Sequence, residues 1–421
     1  MKSLYERFDE EKGICTDTRI LRSGQIFFAL KGETFNGNDY AAEAINKGAS
    51  AIVIDELLDK KIDPDQSEVF LVPDALSHLQ NFASYHRKKW GKTIIAITGS
   101  NGKTTMKELL FHVFHKSFST YATSGNLNNH IGVPLTLLNI KNHHDIAIVE
   151  MGANHIGEIK TLCEICLPNF GYITNFGLAH LEGFGGIQGV IKGKSELYEH
   201  LEKNQGTAFI NPSDPIAIEK CNSKSLKFDT DVKFSSVKGF VKTSFRKETI
   251  TTHLSGSYQE LNILATITMA RQFEIDDKKI ASGLLAYKPQ NNRGQIIQSK
   301  RNYIFLDAYN ANPSSMEASL RNSIKLNEEM PHFYIAGGLL ELGSFSKEYH
   351  QKIVDLFTEL NILNAWFIGN EFLEIRMPKS YRIFKNTNEA LDSLKKIKSQ
   401  GQFIWIKGSR GYALENLLEA L

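Results

Sequence analysis

Short apolar runs alternate with longer segments of helical periodicity along almost the whole chain. Residues 93–98, 146–150, 172–175 and 207–211 are nearly continuous stretches of β-branched, aliphatic and aromatic side chains. Strands buried on both faces of a parallel sheet need that pattern, since neither face may be polar. A more polar stretch over residues 226–254 alternates at the β period and predicts an antiparallel edge. A helix over residues 260–273 then closes this region. Before it, runs at 25–30, 51–54 and 69–72 alternate with helical stretches at 40–47 and 75–90, which predicts a small α/β domain. Trp90-Gly91-Lys92 reads as a hinge. From Tyr303 onward, strands at 303–307, 333–336, 365–369, 382–385 and 403–407 are separated by helix-length segments, the rhythm of a doubly wound, Rossmann-like α/β domain. The expected architecture is therefore three α/β domains over residues 1–90, 91–294 and 295–421, the central one with a mostly parallel sheet.

Length agrees with this division, because 421 residues exceed what one hydrophobic core holds together. Lys+Arg 49 against Asp+Glu 47 leaves a net charge of +2, so no global field recruits nucleic acid or an anionic membrane. No apolar run approaches the roughly 20 residues that span a bilayer. The first ten residues carry acidic groups where a signal peptide is apolar. Cys15, Cys163, Cys166 and Cys221 are too few for a disulfide framework. These features predict a cytoplasmic protein without membrane insertion. Cys163 and Cys166, spaced i, i+3, are expected to face the core of a helix, and the pairs His112/His115 and His143/His144 lack companions at metal-ligand spacing.

The most informative chemistry follows the run at 93–98, which breaks into Gly99-Ser100-Asn101-Gly102-Lys103-Thr104-Thr105 before a helical stretch at 106–115. Glycines there let backbone N–H groups converge on phosphate oxygens beside a helix N-terminus that favours anions. Lys103 can reach terminal phosphates, and the Thr104 hydroxyl is placed for Mg²⁺. Ile97 stands where the general phosphate-loop pattern has its first glycine, so this is the shorter G-x-x-G-K-T-T form. The loop predicts ATP binding through residues Gly99 to Thr105. Glu150 ends the apolar run at 146–150, and strand C-termini line the ligand crevice of an open parallel sheet. A carboxylate there suits Mg²⁺, a hard cation that shares coordination with substrate phosphates. His180 follows another strand, and by itself such a residue is more often a packing or hydrogen-bonding histidine.

Seven motifs in order resemble the Mur ligase family. They are Gly99 to Thr105; Gly125-Asn126-Leu127-Asn128-Asn129 with the following His130 to Pro134; Glu150-Met151-Gly152-Ala153-Asn154; Ala179-His180-Leu181-Glu182-Gly183-Phe184-Gly185; Lys194-Ser195-Glu196-Leu197-Tyr198; Asp307-Ala308-Tyr309-Asn310-Ala311-Asn312-Pro313; and Lys407-Gly408-Ser409-Arg410. Within the family the match is to the activity that adds D-alanyl-D-alanine to UDP-N-acetylmuramoyl-tripeptide in peptidoglycan synthesis. The resemblance implies a monomeric ATP-dependent ligase with two Mg²⁺ ions. It places Lys103, His180 and Lys194 at the reacting groups, and the metals on Thr104, Glu150, His180 and Lys194. In related ligases the lysine at this last position is carbamylated, which would turn it into an oxygen donor; an unmodified, phosphate-contacting Lys194 is the alternative. Asn262 matches an adenine-contacting asparagine, and Arg293, Asp307 and Asn310 match groups that approach ATP when domains close.

On the dipeptide side the resemblance implies Asn312, Glu341, Lys407, Ser409 and Arg410. On the UDP-substrate side it implies Thr18, Arg19, Ser23, Lys31, Thr34 and Asn36, with Asn126, Asn128 and Asn129. Two departures stand out. Tyr258-Gln259 replaces the family's His-Asn, and Gly338 replaces the aspartate of a Gly-Asp-Met-Leu-Glu-Leu-Gly loop, leaving Glu341 as its carboxylate. Rival readings are a sister ligase adding one amino acid, as folylpolyglutamate synthetase does, and a nucleotide-switched regulatory ATPase. The Asn-rich motifs 125–129 and 309–313 argue against the first. Motifs flanking the ATP site on both sides argue against the second.

Overall fold

The computed structural model describes residues 1–59, 62–299, 301–397 and 400–421. Three parallel-sheet units follow one another along the chain. The first is a four-stranded parallel sheet in the order Ile14–Cys15, Ile26–Phe28, Ala51–Ile54, Val69–Leu71. The helix Ala75–Trp90 leads out of it, capped by the Asp74 side chain on Ser77 N and ended by Gly91 in the left-handed region at φ +66°. Its buried face, with Leu79, Phe82 and Ala83, shares one continuous core with the central unit. Arg87 on the same helix donates to Cys166 O and Leu167 O, fixing the two units together.

The central sheet has six parallel strands in the order Lys224–Lys227, Thr207–Ile210, Phe170–Ile173, Thr93–Thr98, Ile146–Glu150, Thr120–Ala122. The chain leaves Thr93–Thr98, skips the neighbouring position to form Thr120–Ala122, and returns to fill it with Ile146–Glu150. A crevice therefore opens at the C-terminal end of Thr93–Thr98, where the strand order reverses. The expected antiparallel edge over 226–254 is corrected in part. Lys224–Lys227 extends the central sheet in parallel, whereas Val232–Val237, Phe240–Phe245 and Glu248–Ser255 form a separate antiparallel sheet. Helix Glu260–Gln272 does not close the region, because a further helix, Asp277–Ala286, packs beside Lys103–Phe114.

The third sheet runs Gln295–Gln298, Tyr303–Asp307, Phe403–Lys407, His332–Gly337, Ala365–Ile368, Arg382–Phe384, with only the first strand antiparallel. Helices Pro313–Ser323 and Ser346–Glu359 pack on one face and Thr387–Leu394 on the other. Cys163 and Cys166 are buried on the helix Glu158–Cys166, as expected. Among the described residues no helix is long and apolar enough to cross a membrane.

Candidate active site

The phosphate loop is built by the strand that feeds it. Thr93–Thr98 is buried between two neighbours, and its end cannot continue as strand because Gly99 adopts φ +135°. A Cβ at Gly99 would lie 2.0 Å from Thr174 Oγ1, so only glycine fits. Thr174 Oγ1 and Asn175 Nδ2 donate to Asn101 O, and Asn101 N donates to Asn175 Oδ1. The adjacent strand end thus holds the loop open from the side. Gly102, at φ +82°, is the N-cap of helix Lys103–Phe114 and lies against Asn262, a Cβ there being 3.1 Å from Asn262 Nδ2. Lys103 Nζ donates to Gly99 O at 2.7 Å and Ser100 O at 3.4 Å. Removal from water lowers its pKa, which the Glu150 carboxylate opposes.

Glu150 pairs with Ile97 across the strands and is buried beside the loop. Asn128 Nδ2 donates to its Oε1 at 2.8 Å, while its Oε2 is buried without a partner. A buried, half-satisfied carboxylate is costly unless a ligand completes it. Among the described residues no three His, Cys, Asp or Glu side chains gather as a metal cluster. The orphaned oxygen, in a cleft that Thr104 also lines, nevertheless fits a hard cation whose remaining ligands are phosphate and water. Lys107, which sequence reasoning missed, is buried one turn on and donates to Thr123 O at 2.6 Å, tying the phosphate-loop helix to the chain that leads into Asn126, Asn128 and Asn129.

A cleft of about 880 Å³ gathers these groups. Its walls include Ser100 to Thr105, Asn126, Asn128, Asn129, Glu150, His180, Asn262, Arg293, Asp307, Asn310, Asn312 and Lys407. The central and C-terminal units face each other across it in direct contact. Asn312 Nδ2 donates to Asn101 Oδ1 at 2.7 Å, Leu178 N donates to Ser314 Oγ at 3.1 Å, and His180 Nδ1 lies 2.5 Å from Glu341 Oε2. Arg293 stacks over the Tyr309 ring at 3.5 Å, a partner that only the tertiary fold supplies.

Lys194 does not line the cleft. It is buried on helix Ile187–Lys203, donates to Ala153 O at 3.0 Å, and sits 5.1 Å from the centre of the Phe184 ring. Burial first, and then the charge of Lys103, hold its pKa well below the ordinary lysine value.

Several other residues have partners of their own. Lys407, also buried, forms an ion pair with its cross-strand neighbour Asp307 at 2.6 Å. Ser409 is buried, accepts from Leu340 N and donates to Ala311 O, so its hydroxyl ties two loops together. Exposed Arg410 pairs with Glu415 at 2.6 Å. Thr18, Arg19, Ser23, Lys31, Thr34 and Asn36 lie in the N-terminal unit outside the cleft walls. Arg19 there pairs with Asp17, and Lys31 with Asp55 and Glu56.

Comparison with known proteins matches three family models in succession: the "Mur ligase family, catalytic domain" over residues 11–87, the "Mur ligase middle domain" over 97–270, and the "Mur ligase, glutamate ligase domain" over 292–410. The UDP-N-acetylmuramoyl-tripeptide–D-alanyl-D-alanine ligase of Bacillus subtilis (strain 168) is 31% identical, over 97% of this chain and 93% of its own. The ligase of the same name from Escherichia coli (strain K12) matches at the same identity and coverage. Among solved structures, MurF from Acinetobacter baumannii superposes with a TM-score of 0.86 at 29% identity, covering 96% of this chain and 92% of that one. MurF ligase from Thermotoga maritima in complex with ADP gives 0.84 at 26% identity, covering 98% of each.

Proposed function

The chain belongs to the Mur ligase family, and we propose that it joins D-alanyl-D-alanine to the terminal carboxylate of UDP-N-acetylmuramoyl-tripeptide at the expense of ATP, giving the pentapeptide precursor of peptidoglycan, ADP and phosphate. The observation that carries this reading is the single cleft over which a phosphate loop, a buried unsatisfied carboxylate and a second α/β unit meet. Units spanning residues 1–90, 91–294 and 295–421 would hold the UDP-sugar, the ATP and the dipeptide respectively. The reaction belongs in the cytoplasm, where ATP is supplied.

A carboxylate is a poor electrophile, so it must be activated first. The tripeptide carboxylate attacks the γ-phosphorus, ADP leaves, and an acyl phosphate forms. The dipeptide amine then adds to the acyl carbon, loses a proton, and the adduct expels phosphate. Phosphoryl transfer of this kind needs positioning and charge neutralisation, with no protein nucleophile. Backbone N–H groups of the phosphate loop cradle the phosphates, and Lys103 exchanges its carbonyl partners Gly99 and Ser100 for phosphate oxygens. Thr104, Glu150 and His180, with Lys194 if carbamylated, would hold Mg²⁺, which neutralises charge on the transferring group. Contact between the central and C-terminal units, as at Asn312 and Asn101, would limit the access of water, which otherwise hydrolyses an acyl phosphate.

The test is product analysis with ATP, Mg²⁺, UDP-muramoyl-tripeptide and a panel of acceptors. D-Ala-D-Ala should yield pentapeptide and stoichiometric phosphate, and single L-amino acids should not. Efficient ligation of one amino acid with the dipeptide ignored would assign a sister activity. Acceptor-independent ATP hydrolysis without product would assign a regulatory ATPase.

A further inference from the structure

Lys107 is a buried lysine on a largely apolar helix. It lies on Lys103–Phe114 among the buried Met106, Leu109, Leu110 and Val113, and is 1% exposed. A lysine head group is costly to bury unless it is paired, and a second lysine one turn from Lys103 adds like charge. Its Nζ donates to the backbone oxygen of Thr123 at 2.6 Å and meets Glu108 Oε1 of its own helix at 2.8 Å. Among the described residues, no other side-chain hydrogen bond joins this helix to residues 120–129.

Thr123 stands at the edge of a stitched unit. Its N donates to Ile148 O, and its Oγ1 accepts from Glu150 N, each at 3.0 Å. Five residues on, Asn128 Nδ2 donates to Glu150 Oε1 and Asn128 O accepts from Gly152 N, each at 2.8 Å. Gly152 leaves room for this, since a Cβ there would lie 2.8 Å from Asn128 Oδ1. Residues 123–128 and the strand end 148–152 thus hold the Glu150 carboxylate between them, with its Oε2 unpartnered. Lys107 ties that unit to the helix whose first turn carries Lys103 and Thr104.

We infer that Lys107 is a positioning residue that sets the reach between the phosphate loop and Glu150, and through it the affinity for a divalent cation bound together with nucleotide. Lys107 itself touches neither. A helix start that takes phosphates and a strand end that offers a carboxylate are two halves of one cation site. Mg²⁺ tolerates little departure from octahedral geometry, so drift of either half weakens the cation. The backbone cradle for the phosphates lies within one half and survives such drift. This rests on the nucleotide and cation part of the ligase reading. The competing account is that Lys107 serves only its ion pair with Glu108.

The test is Mn²⁺ titration of the full chain at saturating ADP, read as free Mn²⁺ by electron paramagnetic resonance. ADP affinity without metal is measured by calorimetry. Lys107→Met, which keeps the length of the side chain and removes its donor, should weaken Mn²⁺ by about 10-fold, as loss of an outer partner of a metal ligand does. Its metal-free ADP affinity should match the wild type. Thr123→Val leaves the carbonyl for Lys107 but takes the acceptor from Glu150 N. It should weaken Mn²⁺ as well, and the double variant should lose less than the sum. Thr123→Val also decides the matter if Lys107→Met does not fold. Glu108→Gln should bind Mn²⁺ as the wild type does. Unaltered Mn²⁺ binding in Lys107→Met or Thr123→Val, additive losses in the double variant, or an equal loss in Glu108→Gln would overturn the inference. So would a fall in metal-free ADP affinity as large as the fall for Mn²⁺, the mark of a purely structural role. Ligation by the wild type is assayed alongside. The expected Mn²⁺ losses without pentapeptide formation remove the ligase reading alone, and pentapeptide formation with unaltered Mn²⁺ binding in Lys107→Met removes the role of Lys107 alone.

Discussion

Asn312 and Asn101 clasp each other across the cleft through two side-chain amide hydrogen bonds, of 2.7 and 3.4 Å. Both residues have second duties. Asn312 Oδ1 caps helix Pro313–Ser323 by accepting from Ser315 N at 2.9 Å, and the Asn101 backbone is held by Thr174 and Asn175. The shape of the phosphate loop is thereby coupled to the start of a helix in the other unit.

Two substitutions separate those duties. Asn312→Ala loses cap and clasp together, costing about 1 kcal/mol in denaturant unfolding, with a raised KM for ATP. Asn312→Asp retains a good cap, but its carboxylate cannot donate to Asn101 Oδ1 and sets negative charge where phosphates approach. Its stability should stay within about 0.5 kcal/mol of wild type while its KM for ATP rises further. Wild-type KM values in both variants would deny the coupling.

Lys103 is the simplest test of the nucleotide site. Its ammonium bonds only to loop carbonyls, so Lys103→Ala should melt close to the wild type. Turnover should fall by at least about 100-fold, as when one preorganised charge donor is deleted. A folded variant with near-normal ligation would remove ATP from this loop.

The strands of the central and C-terminal sheets were legible because burial on both faces leaves an unmistakable apolar run; Thr93–Thr98, Ile146–Glu150 and Phe403–Lys407 fall where that pattern puts them. Shorter strands such as Thr120–Ala122 and the edge strand Gln295–Gln298 carry too few apolar residues to stand out. Alternation over 226–254 also could not tell a parallel edge from a separate antiparallel sheet, since a period of two is common to both. For the site, motifs located residues but not their partners. Lys407 reads as a free cation at a strand end until the fold brings Asp307, a hundred positions earlier, alongside it. The partners of the Ser409 hydroxyl, Leu340 and Ala311, are likewise supplied only by the fold.

Gly338, where the family motif has aspartate, has a structural reason in this chain. A Cβ there would lie 2.8 Å from both Glu371 Oε2 and the Tyr412 hydroxyl, which donates to that same carboxylate. Glu371 thus occupies the space an aspartate at 338 would need. Gly338→Asp should destabilise by about 1–3 kcal/mol, through overpacking and like charge. Adding Glu371→Ala should recover most of that loss, a coupling measurable by a double-mutant cycle in denaturant. Strict additivity would show that the two positions do not compete.

Lys194 presents the sharpest chemical choice. Its depressed pKa keeps the amine neutral at a pH where an ordinary lysine is charged, and a neutral amine adds carbon dioxide to give a carbamate and a proton. The product is an anionic oxygen donor beside Ala153, on the side of the cleft that holds Glu150. Acid reverses the addition, so the modification should be lost as pH falls and the amine protonates. Three results should follow if the carbamate forms. Lys194→Ala loses ligation and regains part of it with added formate or acetate. Carbonate-depleted wild type regains activity on adding bicarbonate. Labelled bicarbonate gives a carbamate carbon signal in the wild type that Lys194→Ala lacks. An unmodified lysine acting on phosphate predicts the opposite: small amines rescue Lys194→Ala, bicarbonate has no effect, and no labelled signal appears. Rescue by amines alone would leave Lys194 as a phosphate contact and return the second cation to Glu150, Thr104 and His180.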